Sequence, residues 1–170
     1  MSETKHTEAN HEIEKLKEAV KTLGGFYASL YAHLAKEVID TFGEKGEEAI
    51  REGTRKYGKW RGENLRKAHQ EQGYEINLKN LFEHYDMPNT NMLKSHRFKT
   101  GEREWASEVF ECTLYDMWER IGMVDMGLLY CEEFHHAMWQ TYWDKIKLEM
   151  PKILTQPNDR CRFEVDATDE

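Results

Sequence analysis

The chain has 170 residues, of which 39 % are hydrophobic and 33 % charged with only three prolines, so it suits one folded domain and not a disordered chain. Its net charge of −8 argues against a nucleic-acid surface, which needs clustered Lys and Arg. The first thirty residues lack a basic start followed by an apolar run, and no stretch approaches the roughly eighteen apolar residues of a membrane span. A cytoplasmic protein without nucleic-acid or membrane partners is the expectation.

In chain order, residues 1–12 are polar and read as a flexible tail, and residues 13–166 as one domain, with 167–170 a second short tail. A short helix over Ile13–Val20 is expected to break at Gly24 and Gly25. Phe26, Leu30, Leu34 and Val38 then recur every four residues as a second helix, stopped by Gly43. From Glu44 to Gln72 a long amphipathic helix should turn Ile50, Tyr57, Trp60, Leu65 and Ala68 inward. Its glycines at 46, 53, 58 and 62 each cost about 1 kcal/mol relative to Ala, which makes sense if another backbone approaches closely. Asn77 can cap a short helix running through Tyr85.

After Pro88 the period changes. Two runs around "TGE", near 92–100 and 103–113, read as a hairpin whose second strand carries Phe110, Cys112 and Leu114 on one face. Two helices follow, "YDMWERIG" and Asp125–Trp143 with Asp125 as cap. Strands near 145–150 and 160–166 close the order, placing Ile146, Leu148 and Met150, then Cys161, Phe163 and Val165, on single faces. The pattern predicts an α+β fold, N-terminal helices plus a four-stranded antiparallel sheet packed by helices on one face.

The window "YCEEFHHAMW" (130–139) concentrates reactive side chains. Cys131 and His135 lie four apart, hence on one helical face, with Met138 and Tyr142 extending the stripe and Glu132 and His136 beside it. A thiol beside an imidazole can serve nucleophilic catalysis, because thiolate is the reactive species. The same pair, with Cys112 or Cys161, could hold a soft metal. Each cysteine can equally be a small buried hydrophobe, and the Trp, Tyr and Met stripe ordinary core. Lacking CxxC spacing, the three cysteines should remain thiols in a reducing compartment. No P-loop, GxSxG, HExxH or GxGxxG occurs, and no cofactor or metal is expected.

Four pieces in order carry a family resemblance: "GEEAIREGTRKYGKWRG", "VFECTLYDMWERIG", "GLLYCEE" and "LTQPNDRCRFEV". Over residues 40–166 the chain resembles the L-2-amino-thiazoline-4-carboxylic acid hydrolase family. Two departures stand out: Glu132, Glu133 and His135 follow Cys131 where an aspartate is usual, and "PND" replaces a glycine before Cys161. The resemblance implies hydrolysis of a carbon–nitrogen or carbon–sulfur bond in a small cyclic amidine. Cys131 would be nucleophile, His135 general base and Glu132 (or Glu133) an orienting carboxylate. Cys112, Cys161, Met138 and Tyr142 would line the substrate, with Arg61, or more weakly Arg97, meeting its carboxylate. A small-molecule binding or sensor domain without catalysis is the alternative, and oligomeric state stays open.

Overall fold

The computed structural model describes residues 2–87 and 89–167, so Met1, the tail residues 168–170 and Pro88, where the sequence pattern changes period, lie outside them. In chain order the elements are α1 (Ser2–Phe42), α2 (Glu44–Glu71), α3 (Leu78–Glu83), α4 (Asn89–Met92), β1 (Leu93–Thr100), β2 (Glu104–Cys112), α5 (Thr113–Arg120), α6 (Val124–Tyr142), β3 (Lys147–Lys152) and β4 (Cys161–Asp166). The four strands form one antiparallel sheet in the order β1-β2-β4-β3. The α+β expectation stands.

One face of the sheet is apolar. Trp105, Val109, Leu148, Phe163 and Val165 are buried there beneath the helices. The opposite face keeps charged pairs, including Arg160 and Arg162 on Glu108, with Phe98 and Phe110 about half exposed among them. Such alternation is what an antiparallel sheet with one wet face requires.

α2 packs across the outer side of α6, and its glycines explain how closely. A Cβ at Gly58 would stand 2.9 Å from both the Ala137 Cβ and the Phe134 carbonyl oxygen. One at Gly62 would collide with the Met138 carbonyl oxygen. Gly46 similarly faces the Val38 carbonyl of α1, whereas nothing lies within 4 Å of Gly53. Three of the four glycines are therefore there for backbone proximity. Trp60 departs from expectation: it is 60 % exposed, because it falls on the flank of α2 that α6 leaves uncovered.

The Gly24–Gly25 pair does not break the first helix. α1 continues through it and takes in the polar residues before Ile13. A Cβ at Gly24 or Gly25 would meet the methyl ends of Met92 and Met117, so the pair lets α1 lie close against α4 and α5. Helix geometry is retained because neighbouring side chains fill the space. The true stop is Gly43, at φ 60°, a left-handed conformation that suits glycine.

Asn77 caps α3 as anticipated, its side chain accepting from the Asn80 amide at 2.8 Å, although the helix ends at Glu83 and not Tyr85. Asp125 is no cap. It sits in the first turn of α6 behind Met123 and makes no capping bond, so its contribution is charge beside the helix N-terminus. At the other end of the domain, Ala167 is fully buried and its amide donates to the Arg103 carbonyl at 2.9 Å. Among the described residues no helix is long and apolar enough to cross a membrane.

Candidate functional site

A chamber of about 130 Å³ lies between α6 and the apolar face of the sheet. Its walls are mostly aromatic and aliphatic, with Trp105, Trp118, Trp139, Phe134 and Phe163 prominent. All three cysteines reach it, one each from β2, α6 and β4, and His135 reaches it one turn along α6 from Cys131.

Cys112 gets there through a β-bulge. Lys94 pairs with Glu111 and Ser95 with Val109, leaving Phe110 as the extra residue. Trp105, Ser107 and Val109 face the chamber by ordinary alternation. Phe110 faces solvent by the same alternation; the bulge then leaves Glu111 outward as well and so turns Cys112 inward. The expected shared face of Phe110, Cys112 and Leu114 is thus corrected: Cys112 and Leu114 line the chamber, while Phe110 is 47 % exposed on the wet side.

The chamber holds its thiols and its imidazole neutral. Burial pushes the Cys131 thiol well above its ordinary range, and the neighbouring Cys112 and Cys161 add to the rise. The nearby hydroxyl of Thr155 acts the other way. Cys112 is pushed up to about 11 by burial, opposed by the amides of Tyr115 and Leu114 at the start of α5. Cys161 also rises through burial, and its sulfur accepts from the Leu154 amide at 3.3 Å. Burial lowers His135 to about 3, and the neighbouring His136 and Arg61 work in the same direction. Its buried Nδ1 has no partner. Thiol and imidazole therefore share a wall as neutral groups, not as a thiolate–imidazolium pair.

Other sequence candidates lie elsewhere. Glu132 accepts from Arg51 Nη1 at 2.8 Å, on the side of α6 facing α2, and does not line the chamber. Glu133 joins the same network through Arg51 at 3.1 Å and Arg55 at 2.9 Å. These carboxylates fasten two helices. Met138 is fully buried and its sulfur accepts from the Tyr85 hydroxyl, while the buried Tyr142 hydroxyl bonds His69 Nδ1 at 2.8 Å. Both belong to the α2–α6 core and not to the chamber. The i, i+4 spacing that linked them to Cys131 breaks down because the stripe rotates away from the sheet along the helix.

Arg61 is neither a solvated residue nor a chamber residue. It is buried, chelated by both carboxylate oxygens of Asp86, and stands 5.2–5.9 Å from the ring centroids of Phe134, Tyr85 and Tyr57. Burial opposes its charge, but Asp86 more than restores it. Arg97 is the cation that reaches the chamber, from β1, with its guanidinium 5.1 Å from the Trp105 ring centroid. Thr155 had no sequence signal, because nothing in "ILTQP" distinguishes a buried hydroxyl from a turn residue. Among the described residues no group of three His, Cys, Asp or Glu side chains could hold a metal ion.

The family model described as L-2-amino-thiazoline-4-carboxylic acid hydrolase matches residues 24–165, beginning sixteen residues before residue 40, where the sequence resemblance starts. Comparison with curated proteins gives no match. Among solved structures the chain is similar to a trafficking protein particle complex subunit 3 from Naegleria fowleri, covalently bound to palmitic acid, at 13 % identity and TM-score 0.55. That alignment covers 88 % of this chain and 97 % of the other. It is also similar to the phenol-responsive sensory domain of the transcription activator PoxR with phenol, at 15 % identity and TM-score 0.47, covering 82 % and 73 % respectively. At such identities the likeness to the trafficking subunit concerns fold alone.

Proposed function

The chain belongs to the L-2-amino-thiazoline-4-carboxylic acid hydrolase family, and from that premise we propose that its chamber opens a small cyclic amidine, with Cys131 as nucleophile and His135 as proton carrier. The observation carrying this reading is the partnerless, buried Nδ1 of His135 in the same small chamber as the Cys131 thiol. A ring nitrogen left without a hydrogen bond among apolar walls costs on the order of 1–3 kcal/mol, and a bound ligand or a migrating proton would relieve it.

Size supports a small ring. An apolar cavity of roughly 150 Å³ accommodates benzene, and this chamber of about 130 Å³ is of that order. Chemistry supports an amidine. Its C2 carbon sits between nitrogen and sulfur and is electrophilic. A positively charged amidinium beside Cys131 would favour ionisation of a thiol that burial otherwise keeps protonated.

In the proposed sequence the Cys131 proton passes to His135 as sulfur adds to C2. The tetrahedral adduct collapses with cleavage of the ring C–S bond, and the departing sulfur takes the proton back from His135. Water, deprotonated by His135, then adds to the same carbon, and the carbon–Cys131 bond breaks with return of the proton to the thiol. Thr155 would donate to the attacking sulfur. Glu132 has no part in this scheme, since Arg51 holds it on the α2 side.

A second reading, ligand binding without turnover, draws on the predominance of apolar wall and on both reactive groups being neutral. Turnover of 2-amino-thiazoline carboxylate and related amidines decides between them. Under the hydrolase reading Cys131→Ser lowers turnover by several orders of magnitude, and His135→Gln by about 10²–10⁴-fold, with binding retained in both. Wild-type protein that binds these rings, yet releases no thiol product from any, would leave the binding reading in place.

A further inference from the structure

α1 carries two apolar stripes, and the domain covers one of them and only the edge of the other. Ala28, Ala32 and Ala35, all fully buried, let the helix lie against its own domain. The second stripe runs Ile13, Leu16, Val20, Leu23, Tyr27, Leu30, Leu34, with alternating steps of three and four residues. That is an unbroken heptad register: Ile13, Val20, Tyr27 and Leu34 at a, and Leu16, Leu23 and Leu30 at d. The four leucines are 59–66 % exposed. Val20 packs partly against the core, and Tyr27 is tethered there by its hydroxyl, 3.1 Å from that of Tyr130. Exposed Phe26 widens the stripe at a flanking g position.

A lone amphipathic helix needs one apolar stripe, so three heptads of a second one, about 33 Å at 1.5 Å per residue, call for a partner helix. We infer that α1 pairs with α1 of a second copy of this chain as a parallel two-stranded coiled coil, joining two domains about a twofold axis. Leucine at every d position, with β-branched Ile13 and Val20 at a, favours two strands over three or four. Charge fixes the direction. In a parallel pair a g residue faces the e residue five positions on in the other helix, which sets Glu12 against Lys17 twice across the seam. An antiparallel pair forfeits both matches. Lys17 now bonds Glu14 of its own helix at 2.7 Å, a surface pair of little worth that can be exchanged. The seam itself carries no charge, so the net charge of −8 does not act at close range there.

The experiment is sedimentation equilibrium of the full chain from about 1 to 100 μM, a range in which mass action exposes a moderate dimer. Wild type should approach twice the chain mass. Leu23→Glu with Leu30→Glu should weaken association at least tenfold without loss of helicity, because both side chains already face water in the single chain. Leu16→Glu, further from the domain body, serves as the second variant should the first misfold. Glu12→Lys should weaken the dimer and Glu12→Lys with Lys17→Glu restore it, which an antiparallel pair would not do. A wild type that stays monomeric throughout overturns the inference, as does a dimer indifferent to Leu16, Leu23 and Leu30. So does a monomer whose leucines instead bind it to phosphatidylcholine vesicles.

Discussion

Cys131 and His135 sit side by side in sequence logic, but their environment sets their protonation. Burial disfavours thiolate and imidazolium alike, so each residue rests uncharged. For Cys112, a rise from 9.0 to about 11 means roughly a 100-fold smaller thiolate fraction near pH 8. Iodoacetamide at that pH should therefore label all three cysteines much faster in denaturant than in the folded protein, with Cys112 slowed by on the order of 100-fold; peptide mass mapping reads each site. His135 gives a prediction of opposite pH sense. Its folded value of about 3 lies below the ordinary 6.5, so between these limits the unfolded chain binds the extra proton. The stabilisation from keeping His135 neutral is complete above 6.5 and is lost as pH falls toward 3. Urea unfolding of wild type and His135→Gln at several pH values should show the stability difference shrinking on acidification, by up to several kcal/mol. A pH-independent difference would mean that His135 is hydrated and ordinary.

Among the elements, α2 and α6 show most directly how glycine spacing becomes architecture. Gly58 and Gly62 allow backbone contact, and Arg51 and Arg55 on the same helix reach Glu132 and Glu133 across it. Those links hold α6 in the orientation that presents Cys131 and His135 to the sheet. Gly62→Ala should destabilise the fold by about 2–3 kcal/mol, since its Cβ meets a carbonyl oxygen that cannot step aside. Gly53→Ala, on the open flank of the same helix, should instead stabilise by up to about 1 kcal/mol. Denaturation midpoints of the two variants test the contrast. Equal losses would show that helix propensity, not proximity, sets the role of these glycines.

The whole molecule is a sheet with one wet face, a helix layer over the other, and a chamber between. Arg61 ties its far side together, since its partner Asp86 lies between α3 and α4 and three aromatic rings surround the guanidinium. Asp86→Ala strands that charge, and a loss of about 3 kcal/mol is expected, at the low end for breaking a buried pair because Asp86 is itself 34 % exposed. Arg61→Met with Asp86→Ala should recover part of it. Recovery read from thermal unfolding would confirm a structural role; an additive loss would refute it.

Sequence by itself determined the α+β order, the hairpin, the inward faces of the last strands and the close approach along α2, because alternation, helical period and glycine spacing are local properties of the chain. It also singled out Cys131, His135 and Cys161, which line the chamber, Cys161 on a periodic apolar strand face. Tertiary structure alone decided the rest. Gly24 and Gly25 read as a break until Met92 and Met117 are seen to fill the space beside them. Cys112 faces inward only because a bulge at Phe110 resets the strand. Arg61, Glu132, Met138 and Tyr142 carry chemistry suited to a site, yet each is committed to a partner brought from elsewhere in the chain: Asp86, Arg51, Tyr85 and His69. Which polar group is free to act depends on which others are already satisfied, and that is settled between elements distant in sequence.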